Sequence, residues 1–224
     1  MDCLTFVDRV VLVAAVIASA FSIHTRYRNE PLYHLAKPIP LFLVIALFFV
    51  NLVSFAPQPL FLHLIFLGLF AGVAGDILLL SPKRFLAGLV AFLTGHLLYV
   101  AAFAGEAFTL PWVWVLVPVA VTLGFGVVLL GRMEEGARKK YRLPLLVYLA
   151  AITLMFVTAL NFDRNLSPGL PLFTLGAFLF CISDGVLAWD RFHRPFRAAQ
   201  GIILTTYYGA QILIGFRAMC LFEI

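Results

Sequence analysis

Charge is what this sequence has little of. Asp, Glu, Lys and Arg make up 12% of its 224 residues, hydrophobic residues 63%, and the mean hydropathy is +1.03. Soluble domains run nearer a quarter charged and half apolar, so most water-soluble folds and any disordered chain are excluded. A net charge of +5 does not point to nucleic acid here, because basic residues in so apolar a chain must first be placed relative to a membrane. No nucleic-acid partner is expected. Cysteine is also scarce. Cys3, Cys181 and Cys220 are too few and too scattered for a disulfide scaffold or a zinc motif. There is no HExxH, HxxxH or CxxC and no phosphate-cradling glycine loop, so neither a metal nor a cofactor is expected.

What is present is a series of long apolar runs. A membrane-spanning helix uses about 20 residues. Pro38–Gly75 contains no Asp, Glu, Lys or Arg, which is too long for one span, and Pro57-Gln58-Pro59 breaks it. Charge and proline punctuation predicts eight transmembrane helices, near 4–23, 39–55, 60–80, 85–105, 111–131, 143–161, 169–188 and 198–216. The expected fold class is all-α, a polytopic membrane helical bundle forming one integral membrane domain over 1–224. Continuous rather than alternating runs argue against a β-barrel. The Met1-Asp2-Cys3 start is acidic and its apolar run is long, so the first helix reads as retained rather than as a signal peptide.

The loops before the second, fourth, sixth and eighth helices carry 13 of the 16 basic residues. Only Arg9, Arg164 and Arg217 lie on the other side. The positive-inside rule places the four basic loops in the cytoplasm and both termini outside it. The expected location is the bacterial inner membrane.

Gly68–Leu80 and Gly176–Ala188 align at an offset of 108, matching Gly68 with Gly176, Phe70 with Phe178, Asp76 with Asp184 and Leu79 with Leu187; Tyr99 pairs with Tyr207 at the same offset. Four helices separate the copies, which would make a parallel repeat of two four-helix halves. Coincidence in a Leu-, Phe- and Gly-rich chain is the competing explanation.

Asp76 and Asp184 stand inside apolar runs, where an ionised Asp costs roughly 2.5–3.5 kcal/mol on insertion scales. Such residues usually face the bundle interior and carry function. Both are expected near the cytoplasmic ends of their helices, Asp76 about 7 Å deep, so the two carboxyls can meet at the headgroup boundary. The alternative is a pair of interfacial carboxylates that reach water or pair with Lys37 or Arg84. Gly72, Gly75, Ser183 and Gly185 flank the acids and permit close helix approach or leave room for a substrate. His96 and Tyr99 share a helix with Gly88 and Gly95, and Tyr207, Tyr208 and Gln211 share the last one. His96 is either a partner of a reacting group or a buried interhelical contact. Asn51, His63 and Asn161 read as helix contacts rather than ligands.

Together these residues resemble the YhhN family, which includes the lysoplasmalogenases. The resemblance runs from Lys37-Pro38 to Gln211. It includes Gly75-Asp76 and Leu79, then Arg84-Phe85, Gly88, Phe92, His96 and Tyr99. Tyr148 and Met155 follow, then Gly176-Ala177, Phe180, Ser183-Asp184 and Leu187-Ala188, and finally Tyr207 or Tyr208 with Gln211. Asp190-Arg191 has no place in that pattern. The resemblance implies hydrolysis of the vinyl-ether bond of lysoplasmalogens, with a lysophospholipid substrate and membrane lipids as partners. It implies Asp76 and Asp184 as the catalytic pair, and Lys37, Arg84, His96, Tyr99, Ser183, Tyr207, Tyr208 and Gln211 around the substrate.

That chemistry suits the residues. Vinyl ethers hydrolyse by protonation of the β-carbon and capture of the oxocarbenium ion by water, which asks for one carboxylic acid and one carboxylate. Two nearby carboxyls tend to share one proton, because both ionise side by side only at high cost. Other classes use buried carboxylates too. A proton-coupled transporter of a small solute or lipid is the main alternative, although both acids lie near one face rather than at the midplane. An intramembrane aspartyl protease would need GxGD, and Val73-Ala74-Gly75 precedes Asp76 instead. A non-catalytic lipid-binding protein is the third.

Overall fold

A computed structural model describes residues 5–28, 30–54, 59–166 and 169–221; Cys3, Pro57 and Gln58 and the side chain of Asn51 lie outside them. Among the described residues all regular structure is helical: α1 (Phe6–Arg28), α2 (Glu30–Ala36), α3 (Ile39–Ser54), α4 (Leu60–Leu79), α5 (Phe85–Phe103), α6 (Val113–Arg132), α7 (Glu135–Asn165), α8 (Leu172–Phe192) and α9 (Ala199–Leu221), with a 3-10 turn at Pro82–Arg84 between α4 and α5. The bundle is that of an integral membrane protein. Seven segments are long and apolar enough to cross a bilayer. The segment α9 has the length but is not among them, because Gln200, Thr205, Thr206, Tyr207, Tyr208, Gln211 and Arg217 dilute its apolar residues.

Several helices outrun their expected ends. The helix α1 continues to Arg28, α8 to Phe192, and α7 begins at Glu135 rather than near 143. Charged residues mark where hydrocarbon stops, not where a helix stops. In water, Arg138, Lys139 and Lys140 are good helix formers, and Lys139 pairs with Glu135 one turn away at 2.7 Å. The stretch expected as a loop before the second span folds into α2. At the start of α1, the Thr5 hydroxyl and amide donate to Asp8 Oδ2 at 2.6 and 2.7 Å, and the Asp8 amide donates back to Thr5 Oγ1 at 3.2 Å, a reciprocal cap.

The tightest packing joins α4 to α5 and α8 to α9, and glycines permit it. A Cβ on Gly68 would run into the Tyr99 ring, one on Gly75 would lie 2.6 Å from Phe92, and one on Gly88 2.6 Å from Leu79. A Cβ on Gly176 would lie 2.7 Å from Ile214 Cγ1 and 3.2 Å from the Ala210 carbonyl. Lipid offers little hydrophobic drive for helix association, so close backbone approach and dense van der Waals contact have to supply it. Gly68 and Gly176 thus do the same job in the two proposed halves, each facing the helix that follows its own.

The remaining polar residues act as expected of contacts. Asn161 accepts from the Thr109 amide at 2.9 Å and donates to the Ala107 carbonyl at 3.1 Å, tying the 104–112 loop to α7. His63 Nδ1 lies 3.2 Å from the Pro59 carbonyl of its own first turn. The outermost span is α6: 11% of its most apolar window is buried, against 50% in α7. Its exposed valines would be a liability in water but face a matching solvent in lipid.

Gly176→Val should cost about 1–3 kcal/mol by overpacking against an immovable carbonyl, read as a lower denaturation midpoint in detergent. Gly124→Val, where nothing lies within 4 Å of the added carbon, should leave that midpoint unchanged. Equal midpoints for the two variants would refute this account of the α8–α9 seam.

Candidate active site

Asp76 and Asp184 line one cavity of 290 Å³. Its walls come from the same end of the bundle throughout: Arg26 from α1, Lys37 at the α2–α3 corner, Ser81 after α4, Asp190 and Arg191 from α8, and Gln200 from α9. This is the end to which the basic loops belong. The cavity therefore opens among Lys and Arg rather than at mid-bundle.

Asp76 is held on both oxygens. Lys37 Nζ lies 3.2 Å from Oδ1 and donates to the Asp76 backbone carbonyl at 3.2 Å. The Tyr207 hydroxyl donates to Oδ2 at 2.9 Å. Lys37 and Asp76 are both buried, so each charge needs the other. The Lys37 ammonium is aimed from the corner between two helices. Tyr208 fixes that corner by donating to the Lys37 carbonyl at 2.9 Å, while its hydroxyl also meets Ser22 Oγ at 2.9 Å. The adjacent tyrosines of α9 thus divide the work, Tyr207 on the carboxylate and Tyr208 on the backbone of its counter-ion.

Asp184 is held on one oxygen. His96 Nε2 lies 2.9 Å from Oδ2, the Tyr148 hydroxyl donates to the same atom at 2.7 Å, and His96 Nε2 and Tyr148 are 2.9 Å apart. His96 Nδ1 is buried with no hydrogen-bond partner among the described residues. A proton there would be stranded in apolar surroundings beside Phe180, which places the ring proton on Nε2, facing the carboxyl. Neither donor reaches Oδ1.

The two carboxyls share a cavity without sharing partners. Gly75 packs on Phe92 and Gly68 on Tyr99, so the antiparallel register of α4 and α5 sets Asp76 level with Ala91. His96 is five residues farther along, about 7–8 Å deeper. His96 is therefore well below Asp76, as its position in the sequence requires, and it serves the other acid. The partners also mirror one another. Asp76 on α4 is met from the start of α3 and from α9, and Asp184 on α8 is met from α7 and from α5. Exchanging the two proposed halves maps each set of helices onto the other.

Ser183 lines the cavity and donates to the Ile203 carbonyl at 3.2 Å. Tyr99 and Gln211 lie behind the wall, the hydroxyl donating to Gln211 Oε1 at 2.6 Å. Gly72 packs closely against α9: a Cβ there would collide with Gln211 Nε2 and lie 3.0 Å from the Tyr207 hydroxyl. Arg84 is exposed in the 3-10 turn and does not line the cavity. Arg26 and Arg191 do, together with Tyr33 and His34 of α2. Arg26 also lies 5.2 Å from the centre of the Tyr33 ring. Asp190 and Arg191, without a place in the family pattern, are rim residues here. Sequence reasoning missed α2 and these rim groups because nothing in a charged loop marks which residues fold back over a mouth.

A helical bundle with two carboxyls around one cavity at its basic end is an integral membrane protein. The chain belongs to the YhhN family, whose profile matches residues 32–218. It is 36% identical over 151 residues to human lysoplasmalogenase TMEM86B, the match covering 67% of this chain and 61% of that protein. It is 36% identical over 150 residues to the porcine lysoplasmalogenase TMEM86B. It is 30% identical over 211 residues to the membrane protein YhhN of Escherichia coli O157:H7, covering 90% of this chain and 95% of that one. The matches thus span about three fifths of the length of the mammalian lysoplasmalogenases. No solved structure matches the chain.

Lys37→Met should leave a buried carboxylate without its cation and cost about 3–5 kcal/mol, measured by denaturation in detergent. Adding Asp76→Asn should restore most of the loss. An unchanged midpoint for the single variant would show that the ion pair does not hold this corner.

Proposed function

We propose that this protein is a membrane hydrolase that cleaves the vinyl-ether bond of lysoplasmalogens. The products are a fatty aldehyde and glycerophospho-ethanolamine or -choline. The observation that carries the reading is the pair of intramembrane carboxyls lining one cavity beneath a cationic rim. The names of the mammalian relatives support it.

Asp184 is the proton donor. Its Oδ2 already accepts from Tyr148 and His96, and these two donors stabilise the carboxylate left when the proton departs from Oδ1. The proton passes to the β-carbon of the vinyl ether, and the electron pair of the double bond forms the new C–H bond. The ether oxygen shares the resulting positive charge. Asp76, fixed by Lys37 and Tyr207, is the standing negative charge that faces this cation. Water adds to the α-carbon and gives its proton to the Asp184 carboxylate. The hemiacetal then collapses, its hydroxyl proton leaves, the C–O bond to glycerol breaks, and the glycerol oxygen takes up a proton. The sum is one water consumed, one aldehyde and one alcohol formed. The scheme draws on no metal and no cofactor. Lys37, with three N–H groups of which two point at Asp76, stands with Arg26 and Arg191 where a lipid phosphate would sit. Ser183, Tyr99, Tyr208 and Gln211 position the donors, and Arg84 adds positive charge outside the mouth.

We also propose eight crossings, with α9 as the eighth. Its polar Tyr207, Tyr208 and Gln211 are buried inside the bundle and meet no lipid. The repeat of two parallel halves is supported by the mirrored partners of the two acids. Basic loops at the mouth favour a cytoplasmic cavity, both termini on the far side, and residence in a bacterial inner membrane.

Purified protein given lysoplasmenylethanolamine should release aldehyde. Asp184→Asn should lower turnover by about 10²–10⁴-fold, and Asp76→Asn should lower it as well. Full turnover in both variants would eliminate the paired-carboxyl mechanism. If the wild type releases no aldehyde but carries labelled substrate into vesicles, the protein is a transporter.

A further inference from the structure

Asp184 borders a second cavity. This one, of 270 Å³, lies between α5, α6, α7 and α8 and shares Phe85, Asp184 and Leu187 with the first. Its other walls are mostly apolar, among them Val121, Phe125, Ile152, Phe178 and Ile182, with Thr122 and Tyr148 the polar side chains. Gly185, next to the acid, leaves it open: a Cβ there would meet only Phe125 Cζ, at 3.9 Å. The apolar path continues through Thr122 and Leu149 into a groove of 440 Å³ between α6 and α7. The helix α6 is the most lipid-exposed of the spans.

We propose that this second cavity holds the single hydrocarbon tail of the lysolipid, which enters and leaves sideways past α6. Its identity as a lysolipid tail rests on the hydrolase reading. The two cavities sort an amphiphile by chemistry. One is rimmed by cations and the other walled by hydrocarbon, and the only carboxyl they share is that of Asp184. An ether oxygen joining a phosphate-bearing headgroup to an alkenyl chain falls at that junction. The cavity is smaller than most small-molecule pockets, which suits part of one chain rather than two. A tail gains little by leaving lipid for an equally apolar cavity. What the cavity supplies is position, holding the double bond against the Asp184 carboxyl. Selectivity for chain length should therefore reside in Gly185 and α6, not in the cationic rim.

The test compares alkenyl substrates with sixteen-carbon and four-carbon chains. Gly185→Leu, and separately Val121→Trp, should reduce the ratio of long- to short-chain kcat/KM by about tenfold, while Gly185→Ala leaves it near the wild-type value. An unchanged ratio in both bulky variants would overturn the proposal, and so would an equal loss on both substrates. A second measurement does not depend on hydrolysis. A non-cleavable alkyl-ether lysophosphoethanolamine with a diazirine at the tail end should photolabel Val121, Phe125 or Ile182, competed by unlabelled lipid. Labelling confined to α1 or α3, or labelling that unlabelled lipid does not displace, would refute the tail site. If the wild type released no aldehyde yet labelled α6 and α8 competitively, the hydrolase reading would fall and the tail site would stand.

Discussion

A carboxylate in a bilayer has to be paid for by partners. Water is absent, the local dielectric is low, and an unpaired charge costs several kcal/mol. Asp76 meets this constraint with Lys37 and Tyr207, and Asp184 with His96 and Tyr148. Those four partners come from the α2–α3 corner, α9, α5 and α7. Satisfying two acids therefore dictates how five or six helices must stand relative to one another. The glycines at Gly68, Gly72, Gly75 and Gly176 follow from it, since the donors arrive only if the backbones approach closely.

The two acids meet the same demand in different ways. Asp76 is saturated, with a cation on one oxygen and a phenol on the other. Asp184 receives both of its donors on one oxygen. The two acids therefore stand in unequal surroundings, one beside a buried cation and the other beside a histidine and a phenol. Enzymes that separate acid from base within a carboxyl pair rely on the same inequality of environment. Corresponding helices supply the partners, but not corresponding positions: at the 108-residue offset Lys37 falls opposite Leu145 and His96 opposite Leu204, so the two acids meet different groups.

The hydrocarbon side of the molecule is equally uneven. The helices α4, α5, α8 and α9 pack tightly around the acids, whereas α6 stands at the edge with little of its surface covered. Dense packing surrounds the two acids, and the least buried helix lies at the lipid-facing edge. A site on well-packed helices and an access route along a poorly packed one are compatible because lipid solvates the exposed face of α6.

Much was legible before any coordinates. Runs of uncharged residues mark seven of the eight expected spans, because a charge in hydrocarbon is costly wherever the chain goes. Asp76 and Asp184 stand out for the same reason. The ends of α1, α7 and α8, and the short α2, were not legible, because charged residues in water are free to be helical or not. Nor could spacing say that His96 and Tyr148 serve Asp184 while Tyr207 serves Asp76, since those contacts bridge 36 to 131 residues. Arg84 and Arg191 carry the same charge in segments expected as loops of the same side, and only the tertiary fold leaves one exposed in a 3-10 turn and sets the other, on the last turn of α8, in the cavity wall. The sequence alone determined that this is a polytopic membrane protein with two acids inside it, because the bilayer's penalty acts residue by residue. Which groups those acids face, and that Asp184 borders two cavities of opposite chemistry while Asp76 borders one, was decided by helix packing, which no single segment contains.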